Sequence, residues 1–259
     1  MALTGSIIGD IIGSQYEFKL PENFNPKSAE LFSDKCRFTD DTVMSLATKY
    51  AIINNKTFAN SYQLFGRKYE EVGYGGFFRN WIFEDNPSPY GSFGNGSAMR
   101  ISYIADYFNN QDKIIKYTQK SAECTHNHSE GIKGAVTTAM CIWLAKKGYT
   151  KTDIYHYAVK QYPATDYIYS TEHSIDSIKD KYKWADTCQE SVPVAIRCVL
   201  EADNYIEFIR NVFKLRCDMD TICAIGGGIA EELFGSTDLD NDTILKKYLT
   251  KDLYELYIS

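Results

Sequence analysis

No stretch of this 259-residue chain reaches the ~18 uninterrupted apolar residues of a membrane-spanning helix, so no helical span is expected. The opening MALTGSIIGD lacks the basic start and cleavage region of a secretory leader, and a soluble, cytoplasmic protein is the expectation. Runs of lysine or arginine are missing as well. With a formal net charge of -6 and a pI near 5.3, nucleic acid and anionic membrane are poor partners, which leaves a small molecule or another protein. The seven cysteines contain no CxxC pair and are odd in number, excluding a zinc knuckle and a secreted disulfide framework; buried thiols are expected. Internal repeats, low-complexity tracts and Pro/Gly/Ser linkers are absent, which favours one domain over residues 1–259 acting as a monomer. Period-2 alternation, the mark of half-buried strands, is nearly absent.

What is present is helical spacing. Ile132, Ala135, Val136, Ala139, Met140 and Trp143 recur at i, i+3, i+4, as do Ile222, Ile225, Ile229, Leu233 and Phe234. Similar periodicity predicts helices near 41–54, 57–71, 111–123, 151–161, 191–202 and 204–214, and the fold class is mostly helical. Two long stretches without period, residues 75–100 and 162–190, are rich in aromatics and read as functional loops or lids. Gly5, Gly9 and Gly13 fall four apart, which on a helix makes a bare stripe where another backbone can approach.

Two clusters carry the chemistry. Thr39, Asp40 and Asp41 precede one apolar run, and Asp218, Asp220 and Thr221 precede another. Either cluster alone is an ordinary helix cap, because Thr and Asp oxygens accept from orphan N–H groups and suit the dipole. Together they offer four carboxylates and two hydroxyls, the hard oxygen set that Mg2+ or a related ion takes, best as a two-metal centre. Spacing alone leaves both readings open.

Other motifs are weaker. The glycines of YGSFGNGSAMR let a backbone approach a phosphate, but the loop is neither a Walker A nor a Rossmann fingerprint. His126 and His128 form an HxH pair without a third ligand at zinc spacing, so a hydrogen-bonding His126 is favoured over zinc. Glu17 lies between Tyr16 and Phe18, where a carboxylate can have a raised pKa and transfer protons.

In order along the chain, GSIIGDIIGSQYEF, FTDDT, PYGSFGNGSAMR, THNHSEGIKGA, CQESVPVAI and DMDTICAIGGGIAEELFG resemble the motifs of the ADP-ribosylglycohydrolase family, from about Gly5 to Gly235. The resemblance implies an all-α, single-domain orthogonal helical bundle with two Mg2+ or Mn2+ ions in a cleft. It implies hydrolysis of the bond between ADP-ribose and an acceptor, arginine preferred, on an ADP-ribosylated protein or small molecule. Carried over by position, Thr39, Asp40, Asp41, Asp218, Asp220 and Thr221 are the metal ligands, and Glu17, Asp40 and Asp41 the catalytic groups. Tyr90, Ser92, Gly94, Asn95, Gly96 and Ser97 form the phosphate and ribose cradle, His126 contacts the ligand, and Gln189 to Val192 form another wall.

One departure stands out. The family pattern has a Gly-Gly pair before the second cluster, where this chain has Arg216 and Cys217. Those side chains either narrow the cleft or add a contact to a phosphate or carboxylate. A non-catalytic ADP-ribose binder or structural relative, and a hydrolase of another nucleotide-like substrate, stay compatible with the sequence. Six oxygen-bearing residues and Glu17 speak for the enzyme.

Overall fold

The computed structural model describes residues 1–18 and 20–259. Among them fourteen α-helices form: α1 (Ala2–Gly13), α2 (Asp40–Ile53), α3 (Phe58–Lys68), α4 (Gly76–Trp81), α5 (Ser102–Tyr107), α6 (Gln111–Glu123) and α7 (Ser129–Lys146), then α8 (Lys151–Gln161), α9 (Ile175–Ile178), α10 (Cys188–Leu200), α11 (Tyr205–Phe213), α12 (Met219–Phe234), α13 (Asn241–Tyr248) and α14 (Lys251–Ile258). Among the described residues no strand forms, and one isolated bridge pairs Gly94 with Thr187. No helix there is long and apolar enough to cross a membrane.

The helix starts follow local chemistry. Thr39, Thr57, Asn110, His128, Thr150 and Asn204 each stand at an N-cap whose side chain accepts from a backbone N–H of the first turn. His128 is thereby committed to capping α7, which separates it from His126 and dissolves the HxH pair.

Every residue of α1 is buried, and α12 is buried from Met219 to Glu231, so these two helices sit enclosed by the others. They run antiparallel at backbone contact. A Cβ on Gly5 would stand 2.3 Å from Gly227 O, one on Gly9 2.2 Å from Cys223 O, and one on Gly13 2.5 Å from Asp220 Cα. The glycine stripe therefore fixes which end of α1 meets the start of α12.

Differences from the expected elements have local causes. The helix expected over 191–202 runs from Cys188, whose N–H donates to Phe93 O at 2.9 Å, to Leu200. The helix expected to reach residue 71 ends at Lys68. The irregular stretches contain α4 and α9, and α1, α5, α13 and α14 were not predicted. All seven cysteines are free thiols, six of them buried and Cys124 half-buried.

Candidate metal centre and cleft

The C-terminal half of α1 meets the N-termini of α2 and α12. From α1, Asp10 is fully buried and accepts the N–H of Thr39 at 2.9 Å, the Thr39 hydroxyl at 2.7 Å and the Thr42 N–H at 3.1 Å, and it also accepts from the Thr42 hydroxyl. A carboxylate from another helix thus caps α2. Sequence reading missed Asp10. Its signal was a single charge inside the apolar run IIGDIIG.

Asp10 thus takes the donors at the start of α2, and further carboxylates gather beside it. Asp10, Asp41 and Asp220 bring oxygens within 4.8 Å of one another, and Glu17, Asp218 and Asp220 form a second such group. Asp220 belongs to both. Asp41 Oδ1 is buried without any partner, while its Oδ2 accepts from the Thr221 hydroxyl at 3.2 Å and lies 3.2 Å from the Thr39 oxygen, whose hydrogen goes to Asp10. Asp218 accepts from Asn95 Nδ2 at 2.8 Å, and Asp220 takes the N–H of Thr221 at 3.0 Å.

Burial raises the pKa of Asp41 and Asp220 well above the ordinary range, and neighbouring carboxylates add to it. Burial likewise raises Asp218, against the hydrogen bond from Asn95. Glu17, in the turn after α1, is pushed up to about 7 by burial and then by the charge of Asp218. An orphaned buried oxygen among four further carboxylates, with hydroxyls interleaved, fits hard divalent cations, whose positive charge would offset both the burial of these acids and their mutual repulsion.

Asp40 lines the same cleft, partly exposed, but belongs to neither oxygen group. Gly73 leaves room for it: φ is +115° there, and a Cβ would stand 3.1 Å from Asp40 Oδ1. Thr39 is enclosed behind the cleft, its hydroxyl donating to Asp10 and accepting the N–H of Asp41.

Glu17, Asp40, Asp41, Asp218 and Asp220 floor a cleft of about 310 Å³, with Asp10 enclosed behind them. Tyr90, Ser92, Gly94, Asn95, Gly96 and His126 line one wall. Glycine matters here because His126 lies against the loop: a Cβ on Gly96 would stand 3.2 Å from His126 Nε2. Ser97 is fully buried and does not reach the cleft, its hydroxyl donating to Gly131 O at 2.8 Å. Of the expected wall at Gln189 to Val192, Ser191 touches the site indirectly, accepting from Asn95 Nδ2 at 3.1 Å. Phe18, Phe77 and Trp184, which sequence reading did not single out, stand exposed at the rim. Phe77 stacks on Tyr90 with ring centroids 6.0 Å apart. Arg37 holds the Glu17 turn, its guanidinium 3.3 Å from the Glu17 carboxylate and 3.1 Å from Ser14 O.

Arg216 and Cys217 do not narrow this cleft. Cys217 is buried, and Arg216 is exposed on an adjoining groove that shares Glu17, Phe18 and Trp184 with the cleft.

A sequence model of the family described as ADP-ribosylglycohydrolase matches residues 1–256. The chain is 26% identical over 185 residues to the ADP-ribosylhydrolase ARH3 of Bos taurus, covering 58% of this chain and 50% of that protein. It thus spans about half the length of the ARH3 relatives it first matches. It is 23% identical to the ADP-ribosylarginine hydrolase Tri1 of Pseudomonas putida over 98% of this chain and 75% of the other. Its fold is similar to a solved structure described as an ADP-ribosylglycohydrolase-related protein complex, with a TM-score of 0.76, 17% identity, and coverage of 98% of this chain and 93% of that one.

Proposed function

The chain belongs to the ADP-ribosylglycohydrolase family, and from that membership we propose that it is a metal-dependent hydrolase of the glycosidic bond between ADP-ribose and an acceptor side chain. The observation that carries the reading is the pair of carboxylate groups sharing Asp220, with the orphaned Asp41 Oδ1, on the floor of a cleft walled by a glycine loop. The likeness to Tri1 supports arginine as the acceptor. Asp41, Asp218, Asp220 and Glu17 are the residues that would hold two Mg2+ or Mn2+ ions, with Asp40 and the Thr221 hydroxyl beside them in the cleft and Asp10 fixing the start of α2 behind them. Bound there, such ions supply Lewis acidity and lower the pKa of a nearby water.

This chain's own residues do the rest. The loop from Tyr90 to Gly96 and His126 bind the part of ADP-ribose remote from the reacting carbon, and that binding energy aligns the terminal ribose over the carboxylates. As the C1 bond breaks, the ribose gains oxocarbenium character, and the acidic floor stabilises the growing positive charge. Glu17, in the turn after α1 at the edge of the floor, moves the proton between water and leaving group. Arg37 keeps that carboxylate over the floor.

ADP-ribose release from arginine-linked and serine-linked peptides tests the reading, with Mg2+ and with chelator, comparing wild type with Asp220→Asn. Expected are release from the arginine-linked peptide, loss in chelator, and a fall of more than about a hundredfold in the variant, beyond the usual cost of disturbing an outer ligand partner. Release that continues unchanged in chelator would overturn it.

A further inference from the structure

Behind the glycine loop lies a polar chain that the proposed mechanism does not use. Arg100 is 1% exposed, and its guanidinium stacks over the Tyr62 ring at 4.2 Å. It donates to Ser121 O at 2.6 Å and to Thr125 Oγ1 at 2.8 Å. Thr125 Oγ1 in turn lies 2.7 Å from His126 Nδ1. Thr125 is fully buried and His126 nearly so, so no solvent shares in these bonds. The far nitrogen, Nε2, faces the backbone of Gly94 and Gly96 in the cleft wall.

The donors and acceptors of this chain can be assigned. A guanidinium only donates, so Thr125 Oγ1 accepts from Arg100 and its own hydrogen remains to be placed. Its neighbours are His126 Nδ1 and the Cys124 sulfur, and sulfur is a weak acceptor. The hydrogen therefore goes to Nδ1. Burial and the Arg100 charge both hold the His126 pKa well below its ordinary value, so the ring is neutral and carries one proton.

We infer that Arg100 and Thr125 are positioning residues that lock His126 as the neutral Nε2–H tautomer, presenting a fixed donor to an anionic oxygen of the ligand's pyrophosphate beside Gly94 and Gly96. This rests on the reading of the loop as the pyrophosphate cradle. A ring free to choose either tautomer would offer a lone pair to that oxygen part of the time, and repel it. The lock removes that state before the ligand arrives.

Nitrogen-15 NMR of the imidazoles, with His126→Gln to assign the signal, and calorimetric titration of ADP-ribose test the inference. In wild type, His126 is expected to carry its proton on Nε2 with Nδ1 as acceptor. In Thr125→Val the single-tautomer pattern is lost and the ADP-ribose Kd rises roughly tenfold, the scale of one hydrogen bond to a charged group. Thr125→Ser, which keeps the hydroxyl, restores both, a rescue that a merely space-filling threonine would not show. A proton on Nδ1 in wild type overturns the inference even if Thr125→Val fails to fold, and so does a folded Thr125→Val that binds ADP-ribose as tightly as wild type. If wild type binds no ADP-ribose, the functional reading falls, while the tautomer still decides whether the relay is right.

Discussion

At one end of the α1–α12 pair, Asp106 accepts the N–H groups of Ala2 and Leu3 at 2.8 Å each, and Glu231 accepts that of Gly5 at 2.6 Å. At the other end, Asp41, Asp218 and Asp220 crowd together and Asp41 Oδ1 has no partner at all. Both ends set buried acids against helix N-termini, and one is a cap while the other is a site. The difference lies in who takes the donors. At the first end no competitor stands between the acids and the N-terminus of α1. At the second, Asp10 reaches across and takes the donors that start α2, which leaves Asp41 Oδ1 without a partner beside Asp218 and Asp220 at the start of α12.

The largest way to break this comparison is to separate the helices that create it. Gly9→Ala puts a methyl 2.2 Å from Cys223 O, backbone against backbone, so neither side can yield. A loss of about 3 kcal/mol or more in urea unfolding is expected, the upper range for overpacking. Next, Asp106→Ala removes the acceptor of two helix-start N–H groups and costs about 2 kcal/mol, whether or not Mg2+ is present. At the opposite end the sign reverses. Asp41→Asn relieves a buried like-charge contact, so in chelator the variant unfolds about 1 kcal/mol later than wild type, the scale of one pKa unit, and it loses the stabilisation that Mg2+ gives wild type. If Asp41→Asn destabilises the metal-free protein, Asp41 belongs with the caps.

The smallest effect is in pH. Groups whose folded pKa lies above the unfolded value bind more protons when folded, so stability falls as pH rises from about 4 through the folded values. Glu17, at about 7, puts its share of that fall between pH 4 and pH 7 in chelator, and the raised aspartates of the site add to it in the same direction. Asp106, at about 6, and Glu231, at about 7, slope the same way and are untouched by metal. Thermal midpoints between pH 4.5 and 8 should therefore fall with pH in chelator and flatten only partly in Mg2+.

Amphipathic helices were legible because one face of α7, α10 or α11 meets solvent and the 3.6 period shows. Helix α1 was not, because a helix buried on all sides has no polar face to mark its period, and only its glycine spacing hinted at it. Asp10 was lost with it. Both aspartate clusters were legible as groups of oxygens, but spacing alone could not separate cap from ligand. That choice depends on Asp10, twenty-nine residues before Thr39. Phe77 and Trp184 were hidden in stretches without period, where nothing local says which aromatic faces the cleft. Arg216, beside the second cluster in sequence, lies in space on the adjoining groove and leaves the acidic floor alone.

The central claim is that two clusters far apart in sequence form one dinuclear centre through Asp220, and Mn2+ titration followed by calorimetry and electron paramagnetic resonance tests it most directly. Wild type should bind two Mn2+ per chain with a coupled-pair spectrum, and Asp220→Asn, still folded, should lose both sites together, because Asp220 serves each oxygen group. A wild type that takes up no Mn2+, or an Asp220→Asn that binds two as before, would contradict the account.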